Sequence, residues 1–244
     1  MRRILRICGT LLIAAGLLTL GWAALVWQWQ DPFTAAYTTY QQHKLKHRYH
    51  KIFERYQPIQ IRRGGHGGVS LATERRTIAT EAHAYRQRLH EGDPLGRLKV
   101  PRLGLNIVAV NGTDDGTLTK GPGRYSGPLP SYVPGEGELI YIAGHRTTFL
   151  APFAHIERLR AGDPVTLELP YATFHYVITR HVIVDADDLA VLKSHHHEVL
   201  ALQACHPRFF ASHRYIAYAK LVRVVPRDGP AYGFSGRRLV AAAA

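Results

Sequence analysis

Cysteine is scarce in this sequence of 244 residues, which holds two, Cys8 and Cys205. That excludes a disulfide scaffold and a cysteine-rich zinc module. Methionine is scarcer still, with Met1 alone. No Gly-x-Ser-x-Gly stretch occurs, so a serine hydrolase would lack its nucleophile elbow. Acidic residues are outnumbered, 18 Asp and Glu against 31 Lys and Arg, for a net charge of +13 with the 15 histidines neutral. Such an excess asks for a polyanionic neighbour: nucleic acid, anionic lipid or an acidic cell wall. Apolar residues are not in short supply. At 46% of the chain they suffice for a core, which excludes global disorder.

The N-terminus chooses among those neighbours. From Ile7 to Trp27 run 21 residues without a formal charge. As a helix they measure about 31 Å, matching a hydrocarbon core of about 30 Å. Arg2, Arg3 and Arg6 precede the run, and Trp22, Trp27 and Trp29 cluster at its far end. Basic residues stay in the cytoplasm and indole rings favour headgroups. The exit, Trp27-Gln28-Trp29-Gln30, offers no small-x-small cleavage site. The pattern therefore predicts an uncleaved single-pass anchor over residues 1–30, with everything beyond it outside the cell. Membrane, not nucleic acid, becomes the expected partner. Cys8 then lies at the cytoplasmic edge and Cys205 outside, so they cannot pair. Cys205 is left as a buried small side chain, half of an intermolecular disulfide, or a reactive thiol that needs a base beside it.

Residues 31–95 read as a basic helical stalk. Asp31-Pro32 supplies an N-cap and a first-turn proline. Phe33, Tyr37, Tyr40, Leu45, Tyr49, Ile52 and Tyr56 follow at near-helical spacing up to Pro58. Glycines at 64, 65, 67 and 68 predict a hinge. Ile78, Ala82, Tyr85 and Leu89 mark a second helix. From Gly96 the texture changes to short β-rich runs: 98–105, 106–110, 137–143, 164–169, 173–184, 199–204 and 214–225, with helical stretches near 151–159 and 187–192. Many short strands with turn signals favour a closed or nearly closed antiparallel-rich barrel over residues 96–226. Residues 227–244 read as a flexible tail.

Three residues in the barrel region carry chemistry. His145 ends a strand in Tyr141-Ile142-Ala143-Gly144-His145-Arg146-Thr147-Thr148. Cys205 ends another in Leu202-Gln203-Ala204-Cys205-His206-Pro207-Arg208, and Arg214 opens the last strand. Together they would supply a nucleophile, an acid/base and a clamp for a tetrahedral oxyanion. Papain-like enzymes place cysteine before histidine, the reverse of this order. L,D-transpeptidases carry His and Gly just before the cysteine, where Gln203-Ala204 stand here.

Over residues 96–226 these stretches, with Ala151-Pro152-Phe153, resemble the sortases, cysteine transpeptidases of Gram-positive surfaces. Within that family the chain is most similar to class E, the actinobacterial housekeeping group. The resemblance implies a mainly β, eight-stranded barrel that needs no cofactor and no metal. It implies Cys205 as nucleophile, His145 as catalytic histidine and Arg214 as the arginine following the cysteine. Leu202, Ala204 and His206 are the expected substrate-binding residues. The implied reaction cleaves a C-terminal sorting motif of the LAxTG/LPxTG kind between Thr and Gly. The acyl group then passes from Cys205 to a cell-wall precursor amine. Secreted proteins bearing a sorting signal are the implied partners.

One departure stands out. Many sortases have Thr-Leu-x-Thr before the cysteine, whereas Ala201-Leu202-Gln203-Ala204 keeps only the leucine. The different-class alternative is a catalytically inactive, sortase-like adaptor on anionic wall polymer, which would not need the Cys–His–Arg set. Three smaller readings stay open. His195-His196-His197-Glu198 either chelates a metal or is solvated; Asp185, Asp187 and Asp188 either bind calcium or serve a helix N-terminus; His206 either tunes the thiol or faces solvent.

Overall fold

The computed structural model describes residues 2–28, 32–59, 70–194, 196–235 and 238–241. The glycine hinge at 64–68, Trp29, His195 and residues 242–244 lie outside them. Eight strands form the body: β1 Pro94–Val100, β2 Leu105–Asn111, β3 Gly123–Arg124, β4 Leu139–Ala143, β5 Pro164–Glu168, β6 Ala172–Asp185, β7 Val199–His206 and β8 His213–Pro226. They pair in the order β8-β6-β5-β1-β2-β3-β4-β7, and β7 returns to β8. The sheet is therefore a closed eight-stranded barrel, as expected. Two neighbours run parallel, β2 with β3 and β4 with β7.

Alternation along each strand decides what lies inside. On β7 the inward side chains are Leu200, Leu202 and Ala204, all 0% exposed and packed with Ile140 and Ile142 of β4. The expected strand over 98–105 is broken by a 3₁₀ turn, Pro101–Leu103. Pro101 has no N–H to give a ladder, and Gly104 follows in the left-handed region with φ 62°. The helical stretches near 151–159 and 187–192 contract to 3₁₀ turns, Ile156–Arg158 and Leu189–Leu192.

The helices preceding the barrel correct the stalk reading. They are α1 Arg2–Gln28, α2 Pro32–Arg55 and α3 Leu71–Gln87. Far from being a spacer, α2 lies on the sheet. Leu45 and Tyr49, one turn apart, pack on Val108 and Val110 of β2. Gln42 acts as a surrogate strand: its amide donates to the carbonyls of Val108 and Lys120, at 2.9 and 2.7 Å, and accepts from Val108 N–H at 2.9 Å. The Tyr49 hydroxyl donates to the Glu168 carbonyl at 2.7 Å. Ile78, Ala82 and Tyr85 of α3 belong to the main core itself. Each such apolar burial contributes roughly 1.5–3 kcal/mol, so α2 and α3 are packed against the barrel rather than held off it.

The tail reading is also corrected. Tyr232–Ser235 (β9) and Arg238–Ala241 (β10) form a hairpin whose first strand pairs with β8. β7 occupies that edge of β8 only as far as Lys220, leaving Arg223 and Val224 free to pair with Gly233 and Tyr232. Tyr232 is 2% exposed within the core. Among the described residues, one helix is long and apolar enough to cross a membrane: α1, over Arg2–Ala24, with mean hydropathy 2.0 and none of it buried by the rest of the chain.

Candidate active site

Strand register brings the expected trio to one place. Cys205 on β7 is the antiparallel register partner of Arg214 on β8. Across the other edge of β7, Ala143 of β4 is the parallel partner of Gln203, and Gly144 N–H donates to the Gln203 carbonyl at 3.0 Å. His145, two residues past Ala143, is therefore level with Cys205. The pleat sends Cys205, with Gln203 and Ala201, to the outer face of the barrel. Behind it on that face runs an apolar strip of Leu139, Tyr141, Ala201 and Ile216. Val191 and Leu192 from the β6–β7 loop pack against it.

The same pleat corrects two of the three substrate-binding expectations. Leu202 and Ala204 point into the barrel core with no exposure, so neither side chain reaches a peptide on the outer face. His206 stays beside the nucleophile, and its Nδ1 lies 3.0 Å from Arg146 Nη1. A guanidinium only donates, so Nδ1 must be the bare nitrogen and the ring neutral. Burial, then Arg146, holds the His206 pKa below the ordinary histidine value.

His145 is shaped for acid/base work. Its ring packs on Phe149 with centroids 5.0 Å apart, and its buried Nε2 has no hydrogen-bond partner. Burial lowers its pKa, with Asp115 opposing. Burial thus favours the neutral imidazole and makes its protonated form a stronger acid than usual. Gly144 before it is obligatory on space alone: a Cβ there would sit 2.7 Å from the Phe153 ring. Arg214 donates from Nη1 to the carbonyls of Ala211 and His213, at 2.8 and 3.1 Å, which steadies the β7–β8 loop.

Arg146 is the residue that sequence reasoning passed over, although it stands in the quoted motif. It is 6% exposed. Its guanidinium joins the Cys205 carbonyl at 3.1 Å, His206, and Glu157 at 2.8 Å. A cation directly after the strand-ending histidine was the available signal. Both loops beside the site hold non-glycine residues at positive φ: Phe149, Leu150 and Ala151 at 52°, 63° and 38°, then Phe209 and Ala211 at 72° and 55°. Each costs about 1–2 kcal/mol, the kind of strain that concentrates at functional sites.

Four of the residues set aside as possible metal ligands, His196, Glu198, Asp185 and Asp188, are engaged elsewhere. His196 Nδ1 lies 3.0 Å from Glu138. Glu198 accepts from the Tyr176 hydroxyl at 2.6 Å and from the N–H groups of Gly135 and Gly137. Asp188 caps the 3₁₀ turn through Ala190 N–H, and Asp185 faces His213 at 3.4 Å.

Comparison with known proteins places this geometry. A family model described as a sortase domain matches residues 98–222. A curated relative, sortase D of Bacillus subtilis (strain 168), is 37% identical over 135 residues, 54% of this chain. The match spans 65% of that relative's length. Among solved structures, a Clostridium perfringens sortase D5 transpeptidase superposes with a TM-score of 0.58 at 21% identity, covering 75% of this chain and 98% of the other. Sortase E1 of Streptomyces coelicolor, solved with a tripeptide in its active site, gives 0.52 at 24% identity, covering 56% and 92%. At those identities the two structures speak for the fold.

Proposed function

Because the chain belongs to the sortase family, whose members are cysteine transpeptidases, we propose that it is itself a working transpeptidase that cuts and transfers sorting signals. The Cys205 thiol gives its proton to His145, and the thiolate attacks the threonine carbonyl of the motif. Arg214 donates to the resulting oxyanion. As the tetrahedral species collapses, the Thr–Gly bond breaks and His145 hands the proton to the departing glycine amine. A thioester on Cys205 remains. An acceptor amine of a cell-wall precursor attacks it, giving up a proton to His145 as the amide forms and the thiolate is released.

What carries this reading is the register that pairs Cys205 with Arg214 and ends β4 two residues before His145, within a matched sortase domain. A histidine with a depressed pKa suits the second proton transfer, since its imidazolium gives up its proton more readily than an ordinary one. No observation favours the inactive adaptor. Relatives bearing class D and class E names both match, and the motif proposed for this chain is of the LAxTG/LPxTG kind. Helix α1 is the anchor in this reading, with the barrel on the outer side of the membrane.

The test is cleavage of a small library of sorting peptides followed by mass spectrometry. Cys205→Ala is expected to abolish both cleavage and transfer, and His145→Ala to cost more than about 10³-fold, since the members of such a unit act together. Wild-type-like turnover by folded Cys205→Ala protein would sink the assignment.

A further inference from the structure

The catalytic end of the barrel is also the end that the apolar helix leads to. Between α1 and α2 lie three residues, 29–31, which reach about 11 Å at full extension. Trp22 of α1 and Phe33 of α2 bring their rings to 5.5 Å. One residue on, Thr34 Oγ1 accepts from the N–H of Phe149 at 3.1 Å, and Phe149 is the residue stacked on His145. The first turn of α2 thus touches the apolar helix on one side and the loop of the catalytic histidine on the other.

Aromatic side chains gather at this end. Phe33 is 73% exposed and Tyr37 46%. The β7–β8 loop, which projects past Cys205 and Arg214, holds Phe210 at 78% and Phe209 at 45% exposure. Arg208 in the same loop is half-buried and lies over the Phe209 ring at 5.5 Å. Ring-bearing residues beside a basic one match the chemistry of a lipid headgroup layer, which takes aromatic rings at its apolar boundary and guanidinium groups at its phosphates.

We propose that the β7–β8 loop is a second membrane contact: Phe210 and Phe209 insert at headgroup level and Arg208 meets lipid phosphate, so the catalytic end rests on the bilayer that holds α1. The proposal rests on reading α1 as the anchor. It gives the enzyme a working height. Cys205 is held just above the headgroups, and a substrate whose own tail is still in the membrane presents its scissile bond there. The far end of α2 points away: Glu54 is 22 residues, or about 33 Å of helix, from Pro32.

The experiment uses the full chain in nanodiscs of phosphatidylcholine and phosphatidylglycerol, with Cys8→Ser and Cys205→Ser removing native thiols. Single nitroxide labels are placed at Phe210→Cys, Tyr37→Cys, Leu11→Cys and Glu54→Cys. Labels at 210 and 37 should be reached by oxygen and shielded from a water-soluble nickel complex, as at 11, while 54 shows the opposite. Two label sites at the catalytic end keep the test standing if one variant fails to fold. If 210 and 37 behave like 54 while 11 is lipid-shielded, the docking is wrong and the anchor stands. If 11 also behaves like 54, the anchor reading falls and takes the docking with it. A separate outcome assigns the loop to substrate instead: Phe210→Ser in otherwise native, detergent-solubilised enzyme raising KM for a soluble sorting peptide by tenfold or more.

Discussion

Two arginines neighbour Cys205: Arg146 bonds its carbonyl, and Arg214 is its register partner. Arg214 has Nη1 committed to the carbonyls of Ala211 and His213. Lysine keeps the charge and loses the fork, so Arg214→Lys is expected to lower kcat/KM by about 10²–10³. A variant within twofold of wild type in peptide cleavage contradicts the clamp. Arg146 works through its neighbours, tying the Cys205 carbonyl to His206 and Glu157. Arg146→Met removes these bonds and should cost about 1–3 kcal/mol in urea unfolding. Titration adds a signature with two signs. Burial holds His145, His175, His181 and His206 below the ordinary histidine pKa. Their stabilisation is complete above the unfolded value of about 6.5 and is lost as pH falls through the folded values. Glu198 behaves oppositely: burial pushes it from 4.5 up to about 7, so its contribution is complete below 4.5 and is lost as pH rises through about 7. Glu198→Gln should therefore flatten the decline in urea midpoint between about pH 5 and about pH 8. An unchanged slope would mean that another group titrates there.

The elements bear on how much of the protein was legible in its residues. Strand alternation and turn chemistry located the barrel, because Gly and Pro punctuate nearly every strand boundary. The same alternation, carried through to sidedness, would have put Leu202 and Ala204 inside, since a Cys205 proposed as nucleophile has to face out. Helices α2 and α3 were legible as helices but not as parts of the core. Their charge suggested solvent, whereas Gln42, Leu45, Tyr49, Ile78, Ala82 and Tyr85 form faces that only the finished barrel can receive. Gln42 is the clearest case: a polar side chain with no hydrophobic signature that completes three hydrogen bonds to backbone groups of the sheet region. Gln42→Leu leaves those groups without partners and should destabilise the fold by about 2–4 kcal/mol in urea unfolding. The stalk reading predicts that residues 94–244 suffice as a folded barrel; the packing predicts the reverse. A chain starting at residue 94 should lack a cooperative thermal transition by circular dichroism, and a sharp wild-type-like melt would restore the spacer.

At the scale of the molecule, one closed barrel places its reactive end beside the start of α2 and, through it, beside the apolar helix. The eight-strand closure makes the site rigid: β7 is paired on both edges, by β4 and β8, and those three strands deliver the histidine, the thiol and the arginine. A single covalent event tests this account most directly. Full-length protein is mixed with a sorting peptide, quenched in acid within the first turnover and measured by intact and peptide-level mass spectrometry. The account predicts an adduct equal to the peptide fragment ending at threonine, localised to Cys205, together with free fragment beginning at glycine. Its thioester should be discharged by an added amine with formation of the ligated product. An unmodified Cys205 with intact peptide across the motif library, or an acyl group carried on any other residue, would contradict it.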